Sequence, residues 1–223
     1  NVDHTVKYGF VAVCSGDGIT ETFKDLGVNN IVSGGQTMNP STEDILRAIH
    51  STNADVVFVL PNNKNIIMAS EQAIRLADRK VMVLHTKTIP QGFSAMLAFD
   101  ESLSEDDLYL AMTKAAEKVQ TGTITFAARD SDFDGKEIKK DDILALENGK
   151  LSFVERDLEK AVTKLTKSIG KKAEFINFYY GTDVDEQVAA KIFNTVQEKM
   201  PKGVEMNLSF GGQPVYYFII SAE

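Results

Sequence analysis

An α/β fold followed by an α+β fold is what this 223-residue sequence predicts. Three observations carry it. Up to about Thr121, short apolar runs alternate with amphipathic stretches, the pattern of a parallel sheet covered by helices on both faces. Beyond Thr121 the apolar runs lie closer together and include a hairpin signal at Asn148-Gly149. The segments after the early apolar runs are rich in Gly, Asn, Ser, Thr or Pro, as loops at the C-terminal edge of such a sheet should be. The expected lobes are residues 1–120, a parallel-sheet lobe, and 121–223, a smaller α+β lobe.

Each element has a local reason. Tyr8–Cys14, Asn30–Val32, Asp55–Leu60 and Val81–Leu84 read as strands, being short and dominated by β-branched and aromatic residues. Between them, Ile19–Leu26, Thr42–Ser51 and Asn65–Ala77 place apolar residues at helical spacing. The connecting loops are then Ser15–Gly18, Ser33–Ser41, Pro61–Lys64 and His85–Gln91. A further helix spans about Ser104–Gln120, with Ser104 as cap and Glu105, Asp106 and Asp107 at the positive end of its dipole. Thr123–Ala128 reads as a strand leading into an acidic turn. Asp142–Leu146 and Leu151–Val154 read as a hairpin through Asn148-Gly149. Leu158–Ile169 is helical, Glu174–Tyr180 a strand, and Asp185–Met200 a helix. Val204–Phe210 and Val215–Ser221 read as a closing strand pair.

Composition narrows the function classes. The chain is 43% hydrophobic and 25% charged, with net charge −8 and pI about 5.0, and it has no basic block, so a nucleic-acid surface is not expected. No apolar run approaches the roughly 20 residues of a membrane span. The lone Cys14 excludes an intramolecular disulfide and fits a reducing cytoplasm. Without an initiator Met or signal peptide, the chain reads as an excised domain.

The loop Ser33–Thr42 concentrates the chemistry. Gly34 and Gly35 permit close backbone approach, the Gln36 amide offers both donor and acceptor, and Thr37, Asn39, Ser41 and Thr42 add short polar groups. Ser41, with Asp44 three residues on, approaches a capping box at the start of a helix. Such a loop suits a carboxylate or phosphate, or equally serves as a well-capped turn. Asn62, Asn63 and Lys64 follow a central strand and offer neutral donors beside one positive charge; turn formation and helix capping explain the asparagines as well. His85 stands at a strand end beside Thr86. Gly211, Gly212 and Gln213 repeat the Gly-Gly-Gln of the first lobe. Ser15-Gly16-Asp17-Gly18 lacks the glycine spacing and lysine of nucleotide loops. Asp130–Gly135 starts like a calcium loop, yet the twelfth position is Asp141 rather than Glu, which favours an acidic hairpin turn. His4, His50 and His85 have no metal spacing.

The wording of these loops adds a family. Gly34-Gly35-Gln36-Thr37-Met38-Asn39-Pro40-Ser41-Thr42-Glu43-Asp44-Ile45, followed by Val57-Phe58-Val59-Leu60-Pro61-Asn62-Asn63-Lys64-Asn65-Ile66, resembles the C-terminal region of the bacterial fatty acid kinase catalytic subunit. The likeness runs from Tyr8-Gly9-Phe10-Val11-Ala12-Val13 to Gly211-Gly212-Gln213-Pro214-Val215-Tyr216. The run from Thr37 to Pro40-Ser41 also looks like the loop by which DegV-type proteins hold a lipid carboxylate. The resemblance implies a DegV-like two-lobe fold with a cleft between the lobes. It also implies a non-catalytic domain that docks the fatty-acid-binding protein of the kinase. ATP and magnesium would belong to a separate, dihydroxyacetone-kinase-like domain of the parent enzyme, with no cofactor in this segment. The alternative it leaves open is a small-molecule module holding an acyl ligand in the cleft. Lipid-binding DegV members carry a late His near Gly-Pro-Gly. Here that region reads Phe210-Gly211-Gly212-Gln213-Pro214, and no His follows His85.

Overall fold

A computed structural model describes residues 6–36 and 38–223; Thr37 and His4 lie outside the described residues. The chain divides into two compact units between Lys118 and Val119.

The first unit runs β1 (Val6–Cys14), α1 (Asp17–Asp25), β2 (Asn30–Ser33), α2 (Thr42–His50), β3 (Ala54–Leu60), α3 (Lys64–Leu76), β4 (Lys80–Val83), α4 (Ile89–Leu97) and α5 (Glu105–Glu117). Its four strands are all parallel, in the order β2-β1-β3-β4. The two central strands are buried almost end to end, which is why they read as continuous apolar runs rather than alternating ones. On one face Val11, Val13, Val57 and Val59 pack with Ile45 and Ile49 of α2 and Ile66 and Ala73 of α3. The residues between them belong to an aromatic layer, with Phe10 stacked on Phe58 at 5.5 Å and Phe99 edge-on to Phe10 at 5.0 Å. Phe23 of α1 and Phe93 of α4 meet at 4.5 Å.

One helix is not legible in the sequence. The segment expected as loop His85–Gln91 turns into α4 at Ile89. Thr88 caps it, its hydroxyl accepting from the Gln91 N–H at 3.2 Å, and Pro90 falls in the first turn, where a missing N–H costs nothing. Apolar on almost every side and carrying Gly92, the helix shows no polar stripe.

The second unit runs β5 (Gln120–Phe126), β6 (Ser131–Phe133), β7 (Lys136–Ile138), β8 (Ile143–Glu147), β9 (Lys150–Glu155), α6 (Leu158–Ile169), β10 (Phe175–Tyr180), α7 (Glu186–Lys199), β11 (Glu205–Phe210) and β12 (Phe218–Ala222). Six strands form a mixed sheet, β11-β10-β12-β5-β8-β9, and β6-β7 form a separate ribbon. The acidic segment is this ribbon, turning at Asp134-Gly135 with both residues at positive φ, and Asn148-Gly149 turns the β8-β9 hairpin in the same way. The expected closing pair is corrected. β11 and β12 do not pair with each other, because β10 lies between them, parallel to β11 and antiparallel to β12. The helical crossover α7 returns the chain parallel to β10. The half-polar β11 (Glu205, Asn207 and Ser209 exposed) suits an edge, and the apolar β12 suits the interior. α6 and α7 cover one face through Leu165, Ile192 and Val196 against Ile176, Phe178 and Ile220.

Candidate functional site

Because all four strands of the first sheet run the same way, their C-terminal loops share one edge. The chain moves from β1 to β2 on one side and then to β3 on the other, so the order reverses between β1 and β3, where open α/β sheets take ligands. Asn62 sits there. Its backbone is left-handed, φ 57°, a conformation Asn tolerates better than most residues. It is buried, its Nδ2 donating to the Val13 carbonyl at 3.0 Å and its N–H to Thr86 Oγ1 at 3.1 Å, so this residue ties the ends of β1, β3 and β4 together. A carbonyl can only accept, which settles the orientation of the amide and leaves Oδ1 without a partner. Asn63 caps α3 through the Asn65 N–H at 2.9 Å and donates to the Gly35 carbonyl at 2.7 Å. Lys64, the first residue of α3, is exposed.

The Gly34-Gly35 loop is folded over itself. The Gly34 N–H donates to the Cys14 carbonyl at 3.1 Å, and the Gly35 N–H to the Met38 carbonyl at 2.9 Å. Gly34 has φ 146°, and a side chain there would come within 2.7 Å of the Met38 carbonyl and 2.9 Å of Pro40, so only glycine fits. Gln36 Oε1 is buried and unpartnered. The capping box on α2 is complete. The Ser41 hydroxyl accepts from the Asp44 N–H at 3.1 Å, and Asp44 Oδ2 accepts from the Ser41 N–H at 3.0 Å. The hydrogen bonds from Ser41 hold the Asp44 carboxyl below the usual carboxylate range. The helix dipole is thus met by the chain's own carboxylate. Thr42 donates to Gln72 of α3 at 3.0 Å. Asn39 is exposed. The Gly34 and Gly35 donors of the loop are therefore committed to backbone carbonyls.

His85 is held by Glu71, Nε2 to Oε1 at 2.6 Å. Cys14 is buried beside Thr20, and burial pushes its thiol up to about 11, so it is an inert packing group rather than a nucleophile.

In the second unit, the Gly211 and Gly212 N–H groups both donate to the Tyr180 carbonyl, at 2.9 and 3.1 Å. Gln213 is wholly buried, its Nε2 shared between the Tyr179 and Tyr216 carbonyls at 2.9 and 3.2 Å and its Oε1 unpartnered. It anchors a turn rather than presenting its amide outward. Val215 in that turn has φ 71°, and the Tyr216 N–H reaches back to the Pro214 carbonyl at 2.8 Å: a γ-turn of the strained hand at a β-branched residue. Composition did not point to Thr86, Gly92 or Val215 as members of these networks.

Among the described residues, no group of three or more His, Cys, Asp or Glu could hold a metal ion, and no helix is long and apolar enough to cross a membrane.

Against that geometry, the comparisons are specific. A family model for the C-terminal domain of FakA-like fatty acid kinase proteins matches residues 9–223. The chain belongs to that family. Protein YloV of Bacillus subtilis (strain 168) is 42% identical over 97% of this chain and 39% of its own length. The chain spans about two fifths of the length of the curated relatives it matches. In fold, a fatty-acid-binding DegV family protein from Thermus thermophilus matches 98% of this chain and 100% of its own, with TM-score 0.66 and 16% identity. The dihydroxyacetone kinase of C. freundii matches 98% of this chain and 48% of its own, with TM-score 0.67 and 13% identity. The fold is that of the DegV and dihydroxyacetone kinase proteins.

Proposed function

We propose that this chain is the non-catalytic docking portion of a fatty acid kinase. It receives the protein that carries the acyl group, while an ATP- and magnesium-binding domain outside this chain phosphorylates the acyl carboxylate. The observation that carries this reading is the committed donor set. A carboxylate held at the loops of either unit would need several free N–H or O–H donors. Gly34, Gly35, the Asn62 amide, Gly211, Gly212 and the Gln213 amide all spend theirs on backbone carbonyls. Membership of the family, and relatives more than twice as long, support placing the chemistry elsewhere in the parent. The side chains left exposed on the sheet edge, Met38, Asn39 and Lys64, are the ones a docked protein would meet. The single cysteine is consistent with a reducing cytoplasm.

The test is surface plasmon resonance of the immobilised chain with an acyl-loaded fatty-acid-binding protein of DegV type. Saturable binding is expected, with Lys64→Glu weakening it about tenfold, the effect of reversing one charge at a close contact. Magnesium-ATP should give no calorimetric signal with the chain. Absence of binding by this chain, where a longer relative does bind, would sink the docking reading. The alternative, an acyl-binding module in its own right, is favoured by the fold shared with a fatty-acid-binding DegV protein. It predicts saturable binding of a fluorescent fatty acid to the chain alone, which the docking reading does not.

A further inference from the structure

A cavity of about 270 Å³ lies at the end of β4 beside α5. Leu84 and Ala116 give it an apolar wall. His85 and Thr86 also line it but are engaged, His85 by Glu71 and the Thr86 hydroxyl as acceptor of the Asn62 N–H. Three groups remain uncommitted. Thr113 Oγ1 is buried and without a partner. Lys87 and Glu117, both exposed, line the same cavity, and neither is in an ion pair among the described residues. Gln91 fixes the rim, its Oε1 accepting from the Lys87 N–H at 2.8 Å.

We infer that this cavity binds a small zwitterion of amino-acid size, its anionic end on Lys87, its ammonium on Glu117, and one polar group on the Thr113 hydroxyl. Residues of opposite charge lining one cavity disfavour a simple anion or cation, since each would gain one partner and face one like charge. A molecule carrying both charges satisfies both. Liquid water takes about 30 Å³ per molecule, so the space equals that of about nine waters, a match for roughly eight to ten non-hydrogen atoms, the size of an amino acid rather than of a nucleotide or a long acyl chain. The apolar wall leaves room for a short side chain. This inference is independent of the docking reading, because the cavity uses none of the residues assigned to it.

Titration of the ¹⁵N-labelled chain with glycine, L-threonine, L-glutamine and phosphoethanolamine, followed by two-dimensional NMR, tests it. At least one of them should shift the amide signals of Thr86–Gln91 and Thr113–Glu117 saturably in the millimolar range, while acetate and methylammonium should be at least about tenfold weaker. Lys87→Met and Glu117→Gln should each weaken that binding about tenfold, the loss of one charge-assisted hydrogen bond. Both residues are exposed, so an unchanged spectrum elsewhere certifies the fold. Thr113→Val should weaken it about threefold. No saturable shift with any of the four, a shift that survives both charge variants, or acetate binding as well as the zwitterions would overturn the assignment.

Discussion

At the scale of single residues, Asn62 decides how the sheet edge can be used. Its amide spans from β1 to β3 and its backbone reaches Thr86, so polar groups that look available in the sequence are absorbed by the fold. Its unpartnered Oδ1 lies against Gly92, where a methyl group would overlap that oxygen and come within 2.9 Å of the Phe23 ring. Gly92→Ala is therefore expected to lower stability by about 1–3 kcal/mol, the usual range for overpacking a core, despite alanine's better helix propensity. Urea unfolding measures it. A neutral or stabilising result would mean that α4 does not pack on Asn62 as described. That two asparagines follow a central strand was legible as turn and cap. Which carbonyl each would reach was not, because the carbonyls belong to residues far apart in the chain.

Among the elements, the strongly patterned ones matched their sequence signals, and the misread ones share a cause. α4 is apolar on almost every side because most of it is buried, so no polar stripe announces it. β11 and β12 are adjacent in sequence and both strand-like, yet the α7 crossover and the polar residues of β11 put β10 between them. The turn joining them stores strain at Val215, φ 71°, held by the Thr125 hydroxyl on the Val215 carbonyl at 2.9 Å and by Gln213 on the Tyr216 carbonyl at 3.2 Å. Glycine adopts that φ freely. Val215→Gly should raise stability by about 0.5–1 kcal/mol, the relief of strain exceeding the extra entropy of glycine in the unfolded chain. Thermal unfolding followed by circular dichroism reads the sign, and a lower midpoint would show that the packing of Val215 outweighs its strain.

For the whole molecule, each unit owns a core. Val11, Val57, Ile45 and Ile66 anchor the first, and Phe178, Ile192, Leu165 and Phe218 the second. A unit with its own core is expected to fold alone. Residues 119–223, expressed as a fragment, should show helix and strand signals and a cooperative urea transition. A fragment that unfolds without a sigmoidal transition would show that its core depends on the first unit.

Periodicity, capping residues and turn dipeptides are local, and the sequence by itself determined what depends on them: the parallel β-α alternation, the Ser41–Asp44 cap and the Asn148-Gly149 hairpin; the family rested on the resemblance of whole motifs. Strand order, the burial of α4 and the partner of each polar group are long-range outcomes of which strands meet. Only the tertiary structure decided them. The same physics separates the two views of the candidate site. Glycine, serine and asparagine in a loop announce hydrogen-bonding capacity. Only the folded chain shows that the Gly34, Gly35 and Asn62 donors are already satisfied by the carbonyls of Cys14, Met38 and Val13, because backbone polar groups brought together by the fold pair with one another.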